Sequence, residues 1–103
     1  MHIKMSSLVY YFLNGECETF GKYTINSRGV IVHAQSGVVL SCHARFGYNM
    51  AMITSNDGSP RVISVARAIA STFLGKPPKG HAVKHNDQET LNDRVDNIRW
   101  SGA

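Results

Sequence analysis

The chain has 103 residues, a hydrophobic fraction of 43%, and 11 Lys and Arg against 7 Asp and Glu, for a formal net charge of +4. That length fits one domain, residues 1–103, with a modest core, and the apolar fraction excludes wholesale disorder. The mild basic excess permits a nucleic-acid partner without establishing one.

The first 65 residues read as strands. Ser7 to Leu13 is β-prone, and Asn14-Gly15 is a hairpin turn because both residues tolerate positive φ. Glu16 to Phe20 is the return strand. Lys22 to Asn26 alternates, and Ser27-Arg28-Gly29 turns it into Val30 to His33. Gln35-Ser36-Gly37 then leads into a strand over Val38 to His43. Tyr48 to Thr54 alternates with Tyr48, Met50 and Met52 on one face, which reads as sheet packing for the two Met. Asn56-Asp57-Gly58 turns the chain toward Arg61 to Val65. Short segments at this spacing predict an antiparallel meander. The period then changes. Val65, Ile69 and Phe73 fall four apart, Ala66, Ala70 and Leu74 fill the next row, and Arg67, Ser71 and Thr72 fall elsewhere. This predicts one amphipathic helix over 65–74, stopped by Gly75 and Pro77-Pro78. The last unit, 81–100, reads as a hairpin.

Cys17 and Cys42 form neither a CxxC pair nor a zinc spacing, so two reduced thiols are expected. The apolar run Leu8 to Leu13 is too short for a signal or membrane segment, so no membrane association and a cytoplasmic location are expected. Charge is uneven: residues 61–103 carry seven of the Lys and Arg.

Three blocks carry a family resemblance. Tyr23-Thr-Ile-Asn-Ser-Arg-Gly-Val30 fits Tyr-x-Val-Ser-x-x-Gly-x-Val. Ile63 to Phe73 fits Val-His-Arg-Leu-Val-Ala-x-x-Phe. His81 to Trp100 fits Val-(Asp/Asn)-His-x-Asp-Gly-Asn-x-x-Asn-Asn-x-x-x-Asn-Leu-x-Trp, with Val83, His85, Asp87, Asn92, Asn97, Ile98 and Trp100 in register. In these blocks the chain resembles the phage and intron-borne HNH homing endonucleases. The resemblance implies an α+β fold: a β meander, one helix, and a truncated ββα-metal hairpin. It implies His85 as the general base that takes a proton from water, and Asn97 as the residue that fixes the loop. It also implies a divalent cation, Mg²⁺ or Mn²⁺, if cleavage is retained.

Three departures bear on that chemistry. Lys84 stands at a metal-ligand position, and a protonated amine has no lone pair to donate. Ala66 stands where the family has His. The sequence ends three residues after Trp100, before the helix that supplies another ligand. No metal ligand is therefore assigned, and impaired catalysis is expected. Arg67, Lys76, Lys79, Lys84, Arg94 and Arg99 form the candidate DNA-contacting stripe, with Lys84 holding a phosphate in the old cleft. Three readings stay open: a DNA-binding module with catalysis lost, an active nickase that recruits Asp87 or a second subunit for its metal, and a small phage-type inhibitor of a host defence complex. The inhibitor would act in the cytoplasm of an infected bacterium. It would dock through an exposed aromatic edge at Tyr10, Tyr11 and Phe12, although those residues also suit a simple extra strand.

Overall fold

The computed structural model describes residues 5–78 and 82–101. Among these, β1 (Ser6–Tyr11), β2 (Cys17–Ile25) and β3 (Ile31–His33) form one antiparallel sheet in the order β1-β2-β3. Strands β4 (His43–Arg45), β5 (Tyr48–Thr54) and β6 (Pro60–Ser64) form a second, in the order β4-β5-β6. Helix α1 (Val65–Ile69) runs directly into a π-helical turn, Ala70–Leu74. Strands β7 (Val83–His85) and β8 (Ile98–Trp100) close the chain as a hairpin. The described residues form an α+β fold with antiparallel sheets and one short α-helix, α1.

Turn chemistry sets the first sheet. Gly15 takes φ 91°, and the Phe12 N–H bonds the Glu16 carbonyl at 2.8 Å across that turn. Between β2 and β3 the Asn26 Oδ1 accepts from Arg28 N at 2.9 Å and Val30 N at 3.0 Å, an Asx turn. Gly29 needs both of its freedoms. Its φ is +83°, and a Cβ there would lie 3.1 to 3.2 Å from Ile69, Val65 and the Asp93 carbonyl.

The sequence predicts separate strands over 16–20 and 22–26; they form one strand. Phe20 and Tyr23 are three apart, so regular pleating would put them on opposite faces. The pairing with β1 jumps from Ser7↔Thr24 to Leu8↔Phe20. That irregularity turns both rings into the core, where Phe20 and Tyr23 are buried with Leu8, Ile25 and Ile31. Tyrosine hydroxyls then join the sheets. Tyr10 Oη accepts from Ser64 N at 3.1 Å, and Tyr23 Oη accepts from Thr54 N at 2.8 Å.

Other expectations change. The single meander is two sheets. The strand expected over 38–43 reduces to a Val32↔Val39 bridge, with β4 starting at His43. Val38 and Val39 are both exposed, so no alternating face holds that stretch to a core. In β5 the core takes Ala51 and Ile53, and Met52 faces solvent at 63% exposure. Tyr48, Met50 and Met52 thus share the outer face rather than packing the sheet.

The helix departs most from its expected form. Residues Val65 through Ser71 are all buried, Arg67 included, so no polar face meets water. The cause is the edge of β1. Val9 N–H donates to Thr72 Oγ1 at 3.0 Å, and that hydroxyl donates back to the Val9 carbonyl at 3.2 Å. Tyr11 N–H donates to Ser71 Oγ at 3.0 Å, and Arg67 Nε donates to the Tyr11 carbonyl. Three side chains do the work of a neighbouring strand and block the edge to other chains.

A buried N–H left without a partner costs about 1–3 kcal/mol. Thr72→Val keeps the shape and removes the hydroxyl. It is expected to lower the unfolding free energy in urea by about that amount, and an unchanged midpoint would show that Thr72 does not hold the edge.

Candidate functional site

His85 ends β7. Strand alternation puts Val83 and His85 on one face, opposite Trp100 and Ile98, and puts Lys84 with its cross-strand partner Arg99 on the other. His85 is enclosed. Its Nε2 lies 2.8 Å from Asp93 Oδ1, with the two side chains 3% and 4% exposed. Asp93 Oδ2 accepts from the Asn49 amide at 2.8 Å, and the same amide donates to the Leu91 carbonyl at 3.0 Å. With Nε2 committed to the Asp93 carboxyl, Nδ1 is the ring nitrogen left without a partner among the described residues. The Tyr48 ring sits 6.3 Å from the His85 ring.

The loop that carries Asp93 is anchored on both sides. Thr90 Oγ1 donates to the Gly47 carbonyl on the β4–β5 hairpin, and Val95 N donates to Ser27 O at 2.8 Å in the β2–β3 turn. Asn97 ties the loop from within. It is buried, its Oδ1 accepts from Asp87 N at 3.0 Å, and its Nδ2 donates to Asp87 Oδ1 at 2.9 Å and Asn92 O at 2.8 Å. Asn92 Nδ2 donates to Asp87 Oδ2 at 2.9 Å. This Asn92 bond, then the Glu89 N–H and the Asn97 amide, holds the Asp87 carboxyl below the usual carboxylate range.

A cavity of about 620 Å³ lies above His85, with Tyr10, Phe12, Tyr48, Ala66 and Arg67 among its walls. Ala66 and His85 therefore share one space. The candidate cations do not. Arg67 is 9% exposed, donates to the Tyr11 carbonyl, and stacks 5.2 Å from the Trp100 ring. It is a wall of the cavity and no part of an exposed stripe, because the β1 edge draws it inward. Lys84 and Arg99 are exposed on the outer face of the hairpin, so Lys84 points away from the cleft it was expected to occupy. Arg94 is exposed and lies 3.3 Å from Asp96. Lys76 is exposed. Lys79 lies outside the described residues, as does His81.

The aromatic edge also changes. Tyr10 is buried, Tyr11 and Phe12 are partly buried, and β1 pairs with β2 as an ordinary strand.

Sequence reasoning missed Asp93 and Asn49. Asp93 had a signal: it replaces the second Asn of the Asn-Asn pair in the family pattern. Asn49 had none, since only the fold brings β5 to the loop.

A divalent cation does not fit the residues present. Lys84 offers no lone pair and faces outward, Asp87 is engaged by three donors, and His85 Nε2 is engaged by Asp93. Among the described residues no three His, Cys, Asp or Glu converge.

Gln88 stands where the pattern has Gly and takes φ 65°. A left-handed L-residue costs about 1–2 kcal/mol. Gln88→Gly is expected to raise stability by about 1 kcal/mol in urea unfolding, and a loss of stability would show that the Gln side chain holds the loop.

No family model matches the chain. Over 82 residues, 80% of this chain, the sequence is 30% identical to a protein of Acanthamoeba polyphaga mimivirus named as an uncharacterized HNH endonuclease; the match covers 24% of that protein. The fold matches the solved structure of the HNH homing endonuclease I-HmuI, described for DNA binding and cleavage, with TM-score 0.71 and 26% identity over 79% of this chain and 47% of that one. The chain thus spans about a quarter and about half of the lengths of these two proteins.

Proposed function

We propose that this chain, HNH homing endonuclease-like in sequence and fold, is a DNA-binding protein whose metal-dependent cleavage is impaired. The observation that carries the reading is Lys84. It replaces a ligand with a cation and pairs with Arg99 on the outer face of the hairpin. Two adjacent exposed cations suit phosphate contacts, which give affinity without sequence information.

The retained base does not restore the enzyme. His85, oriented by Asp93, supplies what a general base supplies, about 10²–10⁴-fold. Phosphodiester chemistry draws most of its acceleration from charge stabilisation at the phosphorane and leaving oxygen, a role given to the metal in such sites. With Lys84 outward and Asp87 occupied, these residues hold no divalent metal there. The nickase reading through Asp87 meets the same obstacle. The inhibitor reading loses the aromatic edge that suggested it, because that edge is packed and paired.

Two exposed thiols, Cys17 and Cys42, suit a reducing cytoplasm. No helix among the described residues is long and apolar enough to cross a membrane.

Duplex binding is expected to weaken steeply with salt. Lys84→Ala with Arg99→Ala is expected to lower the log–log salt slope by about two, since each phosphate contact contributes about 0.9. Fluorescence anisotropy from 50 to 200 mM salt reads this, and a parallel plasmid assay with Mg²⁺ or Mn²⁺ is expected to show no nicking. An unchanged slope would remove the hairpin from the interface, and metal-dependent nicking abolished by His85→Ala would restore the enzyme reading.

A further inference from the structure

Arg67 is a buried cation with no counter-charge. It is 9% exposed, and among the described residues no carboxylate lies within ion-pair distance of it; Asp93 is engaged by His85 and Asp96 by Arg94. Its Nε is used by the Tyr11 carbonyl and its flat face by Trp100, while its two terminal nitrogens bond no described residue. A buried charge of this kind is costly unless something compensates it. Packing alone does not require the charge, since a neutral side chain of similar length would fill the space.

The cavity beside it shows what would compensate. Arg67 and His85 line the same space. Tyr10 contributes a hydroxyl that accepts from Ser64 N, so its own proton remains to be donated. Burial pushes the Tyr10 phenol up and keeps that proton in place, opposed by the Ser64 bond and the Arg67 charge. A guanidinium fork and a phenolic donor suit a tetrahedral oxyanion, and the fork pairs bidentately with phosphate. The remaining walls include Phe12 and Tyr48, aromatic rings of the kind on which bases stack. A volume of about 620 Å³ lies in the range of small-ligand sites and is far too small for a duplex.

We infer that this cavity is a single-nucleotide site in which Arg67 binds the phosphate and the Phe12 and Tyr48 rings receive the base. The inference goes beyond duplex binding by the outer face, which uses Lys84 and Arg99. Arg67 also stands as the positive charge of a cleft whose residues do not fit a metal. The nucleotide is either free or a splayed unit of a strand; the phosphate chemistry is the same.

Trp100 is the only Trp in the chain and lies against Arg67, so it reports on that guanidinium directly. Inorganic phosphate, thymidine 5′-monophosphate, thymidine and a short single-stranded oligonucleotide are titrated into the full chain, with Trp100 emission and the thermal midpoint followed together. A saturable emission change and a rising midpoint are expected with the monophosphate, which should bind at least tenfold more tightly than inorganic phosphate, and no response is expected with thymidine. Arg67→Lys is expected to weaken the monophosphate at least tenfold, and Arg67→Gln to abolish its binding. A response to the monophosphate assigns a free or terminal nucleotide, and a response to the oligonucleotide alone assigns a phosphate within a strand; both uphold Arg67 as the phosphate ligand. The inference falls if no phosphate compound gives a saturable response, if thymidine matches the monophosphate, or if a folded Arg67→Gln binds as well as the parent. Should Arg67→Gln not fold, the contrast between thymidine and its monophosphate, with Arg67→Lys, decides. A chain that binds the monophosphate but no duplex would overturn the DNA-binding proposal and leave this one standing.

Discussion

The edge of β1 has to be satisfied, and the chain satisfies it with side chains instead of a strand. Arg67, Ser71 and Thr72 supply the donors and acceptors that Val9 and Tyr11 need. Residues that would otherwise form the wet side of a surface helix are therefore turned inward. The helical segment becomes buried nearly all round and contacts both three-stranded sheets. The hairpin of β7 and β8 then covers its C-terminal end, where Trp100 Nε1 donates to the Gly75 carbonyl at 3.2 Å and Arg67 lies over the indole. The cavity beside His85 exists because these pieces meet around Arg67.

The site chemistry follows from two adjacent residues that face opposite ways. His85 points inward to a buried carboxylate held by Asn49. Lys84 points outward to water. The inner face keeps an oriented imidazole with one nitrogen committed, and the outer face carries charge suited to polyanions. A metal site needs several oxygen or nitrogen donors converging on one point, and here the available carboxylates serve the loop and the histidine instead. The HNH-type hairpin keeps its frame: Asn97 closes the loop, and Gln88 occupies the left-handed turn position that suits Gly better.

Much of this was legible in the sequence where local chemistry decides structure. Asn14-Gly15 and Asn56-Asp57-Gly58 set their turns, and Gly75 with Pro77-Pro78 ended the helical run, because positive φ and a missing N–H act on their own neighbourhood. The terminal motif was legible because its residues keep a fixed spacing. What was not legible depends on partners distant in sequence. Arg67, Ser71 and Thr72 look like a solvated face until β1 is placed beside them. Phe20 and Tyr23 share a side only because the β1–β2 pairing is irregular. One meander and two sheets read alike, since a break after Val39 leaves no local mark. Asp93 was visible as a departure from the motif, but its bond to His85 required the fold.

Whether a cation seats in the cleft is read by Mn²⁺ titration of the ¹⁵N-labelled chain, observed by NMR at the His85 ring and at the backbone resonances of His85, Asp87 and Asn97. Paramagnetic broadening falls off steeply with distance, so a cation seated in the cleft would erase these signals first and saturably. With Lys84 turned out and the Asp87 and Asp93 carboxylates engaged, they are expected to broaden no faster than those of exposed carboxylates such as Glu16. Selective, saturable loss at His85 at low Mn²⁺ would instead place a metal in the cleft and contradict this reading of His85 and Lys84.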